Sequence, residues 1–195
     1  MRNVFVISIA ILVGLSSAAI AQTTGRSSTG IAAEQPAERI EGLFDELKKA
    51  RNEQAAERIS SRIRQEWARS GSASIDLLMQ WSQEAMNEKK NGAAMDFLDQ
   101  VVTLAPDYAE GWNRRATLHF AMDNYAKSMA DIERVLRLEP RHFGALGGMA
   151  TILKNTGRNE AAMHAYERLL QVYPMMRPAQ SELGRLADEL TGERI

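Results

Sequence analysis

The chain contains no cysteine among its 195 residues. That removes disulfide staples, thiolate metal sites and a cysteine nucleophile at once. Proline is almost as scarce, with five residues, and aromatic side chains make up 6%. Neither sign of charge dominates: 24 basic and 25 acidic side chains leave a formal net charge of −1. Such a balance supplies no sequence-independent hold on nucleic acid or on anionic lipid, so no nucleic-acid partner is expected. Alternating β-branched residues, the mark of half-buried strands, are missing beyond the first twenty or so positions. What remains, with ten methionines and many alanines, is a series of apolar stripes at helical spacing, and it reads as an all-α protein.

The start of the chain differs. Arg2 precedes an apolar run over 4–20, and Ala19-Ile20-Ala21 forms a small-residue A-x-A site before Gln22. Residues 1–21 therefore read as a secretory signal peptide cut after Ala21. The alternative is an uncleaved anchor, but the run sits at the short limit for a membrane span and Gly14, Ser16 and Ser17 break its apolar end. Export to a bacterial periplasm is expected, with no stable membrane insertion after cleavage; a cysteine-free chain suits that oxidising compartment. Residues 22–36, rich in Ser, Thr and Gly, read as a flexible leader.

Three of the five prolines, Pro106, Pro140 and Pro174, are spaced by the same interval. Segments ending at them align throughout. Leu78, Trp112 and Leu146 share a column, as do Trp81, Arg115 and Met149. Small residues hold two further columns: Ser82, Ala116 and Ala150, then Ala94, Ser128 and Ala162. A fixed period of this size marks a helical array. Each unit reads as two antiparallel helices, the first over 75–87, 109–122 and 143–155, the second over 93–104, 126–138 and 159–172. Turns are expected at Lys90-Asn91-Gly92, Asp123-Asn124 and Thr156-Gly157. The small columns let the paired backbones approach. Each proline halts the second helix, because its ring and missing N–H cannot continue it. Asp107 is the expected N-cap of the helix after Pro106.

These residues resemble the tetratricopeptide repeat (TPR), whose pattern runs W-x2-L-G-x2-Y, then A-x3-F, then P. The resemblance covers repeats at 74–107, 108–141 and 142–176. Arg115 departs from it, placing a charge where leucine is usual; its stem is expected to pack while its head reaches water. The resemblance implies a TPR-type superhelix of antiparallel helix pairs, an α-solenoid. Residues 37–73, with Ile40, Leu43, Phe44 and Leu47 followed by Ala55, Ala56, Ile59, Ile63 and Trp67, read as a degenerate N-terminal hairpin that extends the array. Residues 177–195, with Leu183, Leu186 and Leu190 on one face, read as the C-terminal capping helix that such an array needs.

Catalytic chemistry finds no support. His119, His142 and His164 lack metal-ligand spacing, and the many carboxylates suit solvated helix faces. Gly144, Gly147 and Gly148 follow no strand and match no phosphate loop; they read as close helix contact or a widened groove. No metal or cofactor is expected, and the protein reads as a non-enzyme. The resemblance implies instead a peptide or protein partner held on the face lined by the first helices. The groove residues it nominates are Met79, Gln83, Met86, Asn113, Arg114, Thr117, Phe120, Gly147, Thr151 and Asn155. Some family members clamp a terminal carboxylate there with Lys and Asn. In this chain only Gln83 and Arg114 suit that role, while Met79, Gly144 and Gly148 do not. The expected function is a non-enzymatic scaffold of the cell envelope. The alternatives are a self-associating protein, paired as a homodimer through an exposed apolar face of the N-terminal hairpin, or an accessory factor in envelope or outer-membrane assembly.

Overall fold

Apolar residues three and four apart give each repeat two amphipathic stripes, and the breakers between them decide where helices stop. The computed structural model describes residues 36–192; the expected signal peptide, 1–21, and nearly all of the expected leader lie outside the described residues. Nine α-helices and no strand occur among those residues. They are α1 (Pro36–Lys49), α2 (Glu53–Trp67), α3 (Ala73–Asn87), α4 (Asn91–Leu104), α5 (Ala109–Ala121), α6 (Tyr125–Leu138), α7 (Phe143–Asn155), α8 (Asn159–Val172) and α9 (Arg177–Gly192). No helix of the described residues is long and apolar enough to cross a membrane.

Helices α3–α4, α5–α6 and α7–α8 form three hairpins, each packed on the next, and α9 packs on α8. The first helix of each hairpin ends in the same way. Lys89, Asp123 and Gly157 adopt positive φ of 58°, 57° and 73°. The following N–H groups of Lys90, Asn124 and Arg158 reach back to the carbonyls of Ala85, His119 and Leu153 at 2.8–2.9 Å. This is a Schellman cap repeated three times. The first turn thus pivots on Lys89, and Gly92, expected in the turn, lies inside α4. The prolines also occupy equivalent places, each two residues past a second helix, after Leu104, Leu138 and Val172. Asp107 does not cap α5. Tyr108 holds the N-cap position without a side-chain bond, and Asp107 pairs with Arg134 at 3.2 Å.

Both small columns are buried, with Ala94, Ala150 and Ala162 fully enclosed. The contact between columns is direct: Ser128 Oγ, on α6, donates to the Ala116 carbonyl of α5 at 2.8 Å. A larger side chain has no room there. Ala162→Leu is expected to destabilise by roughly 1–3 kcal/mol through overpacking, read as a fall of about 2–4 °C in Tm per kcal/mol. An unchanged melting temperature would count against this register.

The charge in the apolar column is resolved inside the protein, not at its surface. Arg115 forms a two-pronged bond with Asp131 of α6, at 2.8 and 2.7 Å, and its head lies 4.8 Å from the Trp112 ring. Asp131 is only 4% exposed. His119, in the next column, is buried as a filler, and burial pushes its pKa below the usual histidine value.

The N-terminal hairpin corrects the expected order. Its helices do form, but it does not simply precede α3 as one more stacked unit: its apolar face joins the last repeat. Leu43, Phe44, Leu47, Ala56 and Ile63 belong to one buried cluster with residues of α7, α8 and α9, including Phe143, Leu169, Tyr173 and Leu186. Polar contacts fasten it along the same edge. Arg177, which opens α9, meets Glu53 at 3.2 Å; the Tyr173 hydroxyl donates to Glu57 at 3.0 Å; Arg141 grips Glu41 with two bonds of 2.7 and 2.8 Å. At the far end Trp67 stacks on His142 at 4.1 Å, and the Tyr108 hydroxyl donates to the Ala68 carbonyl at 2.9 Å. Helix α2 therefore runs as a clasp along the junctions that lead into α9, α7 and α5. With its apolar face spent in this way, the hairpin offers no such face for pairing two copies.

Candidate functional site

The first helices α5 and α7 lie side by side, with α6 beneath them, and a pocket of about 180 Å³ opens between the three. Helix α5 contributes Asn113, Ala116, Thr117 and Phe120. Helix α6 supplies the floor with Ser128 and Ile132. Helix α7 supplies Gly144, Ala145, Gly148 and Thr151. The helical repeat explains the selection: positions 113, 117 and 120 recur at four and three residues and share one face.

Four of the nominated groove residues, Asn113, Thr117, Phe120 and Thr151, thus meet in one place. Arg114 and Asn113 line a neighbouring cleft of about 470 Å³, whose outer wall is the clasp: Ser61, Arg64, Gln65 and Trp67. The two spaces share Asn113 and Gly144 in their walls. Gln83 and Asn155 are exposed on the same series of helices, away from the pocket. Met79 is 5% exposed and belongs to the α3–α4 core, so it presents no groove surface; what reaches this face is its carbonyl, which accepts from Arg114 at 3.2 Å. Met86 packs partly against the same core. Gly147 faces the second helix of its own repeat, since a Cβ there would meet Leu169 at 3.8 Å. The α7 wall is made instead by Gly144 and Gly148, which the resemblance puts at positions of a carboxylate clamp, and not by Gly147, which it nominates for the groove.

Polar groups around the pocket are already engaged. Glu110 collects three partners: Asn113 Nδ2 at 2.9 Å, Arg114 at 3.6 Å and His142 Nε2 at 3.3 Å. His142 Nδ1 accepts the Ala145 N–H at 3.1 Å and so caps α7. With Nδ1 accepting, the ring proton sits on Nε2 and is offered to Glu110. The hydroxyls of Thr117, Thr151 and Ser128 donate to backbone carbonyls at 2.8–2.9 Å. On the clasp, burial opposes the charge of Glu57, yet Arg64 and the Tyr173 hydroxyl hold its carboxyl below the usual range. No group of three His, Asp or Glu side chains suited to a metal ion occurs among the described residues.

Comparison with known proteins agrees with this architecture. A family model described as tetratricopeptide repeat matches residues 109–142 and 144–174. A TPR repeat-containing protein of Rhizobium etli is 54% identical over 163 residues, which span 84% of this chain and 80% of that protein. A small glutamine-rich tetratricopeptide repeat-containing protein of Saccharomyces cerevisiae is 24% identical over 60% of this chain and 34% of its own length. Among solved structures, the first TPR of Spaghetti bound to the HSP90 peptide SRMEEVD superposes with a TM-score of 0.58 at 20% identity, covering 62% of this chain and 95% of that one. The Sgt2 TPR domain of Aspergillus fumigatus gives 0.58 at 18% identity, covering 63% and 83%. Three capped hairpins in register, together with more than half identity to a repeat protein across most of both chains, place this chain in the tetratricopeptide repeat family.

Proposed function

We propose that the protein is a non-enzymatic interaction module that holds a segment of a partner protein on the face formed by α5 and α7. The observation that carries this reading is the pocket between those helices, walled by Phe120, floored by Ile132 and rimmed by the Asn113 amide. A concave, mostly apolar pocket with a few polar groups is the usual form of a ligand site. An amide on the rim suits a peptide backbone, which offers both donors and acceptors. The solved neighbours bound to HSP90 and HSP70 peptides support a peptide ligand for this fold.

The signal-like residues 1–21 support action outside the cytoplasm, in a bacterial periplasm, as an envelope scaffold or an accessory factor in envelope assembly. Self-association is a second reading with its own observation: Leu77 and Trp81 of α3 are each 42% exposed. Mass measurement in solution separates the two, since a concentration-independent monomer would remove self-association.

The groove reading is tested by Asn113→Ala combined with Phe120→Ala. Partner capture from an envelope extract is expected to fall at least tenfold, about 1.4 kcal/mol, with helicity unchanged by circular dichroism. Undiminished capture would move the site elsewhere.

A further inference from the structure

The pocket owes its space to two missing side chains. Gly144 and Gly148 stand in the third repeat where Glu110 and Arg114 stand in the second. In the second repeat that carboxylate and guanidinium occupy the face and pair with each other. The third repeat presents bare backbone there. A Cβ on Gly148 would come within 3.3 Å of Ile132 Cδ1, and one on Gly144 within 3.3 Å of the His142 ring. Either would intrude on the pocket or its edge.

The chemistry of the lining narrows what fits. No ionisable side chain lines the pocket. Its three hydroxyls all donate to backbone carbonyls and so present mainly their carbon atoms and spare lone pairs. The cations of the flanking helices α5 and α7 are already engaged: Arg114 with Glu110 and the Met79 carbonyl, Arg115 with Asp131, Lys154 with Glu182 at 2.9 Å. A carboxylate entering here would lose water and gain no cation, which is costly in general. An apolar group loses nothing. The volume is also informative, because an apolar cavity of about 150 Å³ accepts benzene, and this one measures about 180 Å³.

We infer that the occupant is one large apolar side chain, of leucine or phenylalanine size, carried on a partner peptide whose adjoining residues are uncharged. The inference rests on the groove reading above and deepens it. It also sets this chain apart from neighbours whose bound peptides, SRMEEVD and SGPTIEEVD, end in acidic residues.

A phage-displayed library of random twelve-residue peptides, selected on the purified full chain, tests it. Enriched peptides are expected to share one Phe, Leu, Ile or Met, with no acidic residue beside it. Replacing that residue by Ala in the synthetic peptide is expected to weaken binding at least tenfold. Two protein variants fill the pocket from different sides: Gly148→Leu from the α7 wall, and Thr117→Trp from the exposed rim, where folding is not at stake. Each is expected to weaken binding at least tenfold, with the melting curve of Thr117→Trp unchanged. Enrichment of peptides ending in acidic residues would overturn the apolar anchor. So would binding that both filled variants retain; loss of that binding in Arg114→Ala or Gln83→Ala would leave groove recognition standing. Peptides indifferent to all four substitutions, or no enrichment at all, would overturn both readings.

Discussion

Arg115→Ala will lower the stability of the array by about 3 kcal/mol, at the lower end of the roughly 3–5 kcal/mol that follows from breaking one side of a buried ion pair. The carboxylate left behind, Asp131, is 4% exposed and loses both of its short bonds. The lower end applies because Arg115 itself retains 19% side-chain exposure and its second partner, Asp99, lies largely in water. In thermal unfolding this amounts to a fall of roughly 6–12 °C. The companion experiment removes the whole pair. One period on, positions 115 and 131 correspond to Met149 and Ala165, so Arg115→Met with Asp131→Ala installs an arrangement the third repeat already uses. Most of the lost stability is expected to return, as replacement of buried ion pairs by apolar side chains commonly shows. A single variant that melts like the wild type would mean that Asp131 finds water or another partner.

Phe143→Ala is expected to cost roughly 3–5 kcal/mol, the range for deleting a buried aromatic ring. The ring is 4% exposed and touches both halves of the molecule: Trp67 of the clasp at 4.7 Å and Tyr173, past the end of α8, at 5.7 Å. Its loss loosens the hairpin before the repeats. Limited proteolysis reads this directly, with faster cleavage at residues 50–52 and 68–72 than in α5 to α8. Uniform cleavage along the chain would show that the hairpin and the array open together. Acid should act in the same direction. Arg141 holds the Glu41 carboxyl below its ordinary value of 4.5, and Glu57 lies below it too. A carboxyl depressed by folding contributes stability that is present above its unfolded value and lost as pH falls through the folded one. The clasp is thus complete at neutral pH and weakens below about 4.5.

Much of this fold was legible from spacing alone. Three prolines at one interval, with small residues in two columns between them, imply three helical hairpins, and the structure has them. Periodicity reports which face of a helix is apolar; it carries no information about which surface that face will meet. For that reason Leu43, Leu47 and Ile63 were recognisable as buried, while their partners on α7 to α9 were not. The clasp depends on Arg141, His142 and Phe143, which follow a proline and read as an ordinary junction. Asp131 offered a usable signal, since a carboxylate one residue before Ile132 on the buried side of α6 calls for a cation, and Arg115 was the charge without a place. In the candidate site, Asn113, Thr117, Phe120 and Thr151 followed from register. Gly144 and Gly148 were harder to assign, because a glycine's contribution here is an absence that only neighbouring backbones define.

In an ordinary repeat array each unit touches only its neighbours, so units can be duplicated or lost with little penalty. Here a bond from Tyr108 to Ala68, at the end of α2, and another from Tyr173 to Glu57, near its start, span the chain like rungs of fixed length. A unit inserted between α5 and α9 would carry those anchor points out of reach of the fifteen-residue helix that spans them. Gene duplication could therefore lengthen this protein only ahead of α5 or beyond α9, leaving its repeat number frozen within the span that α2 measures.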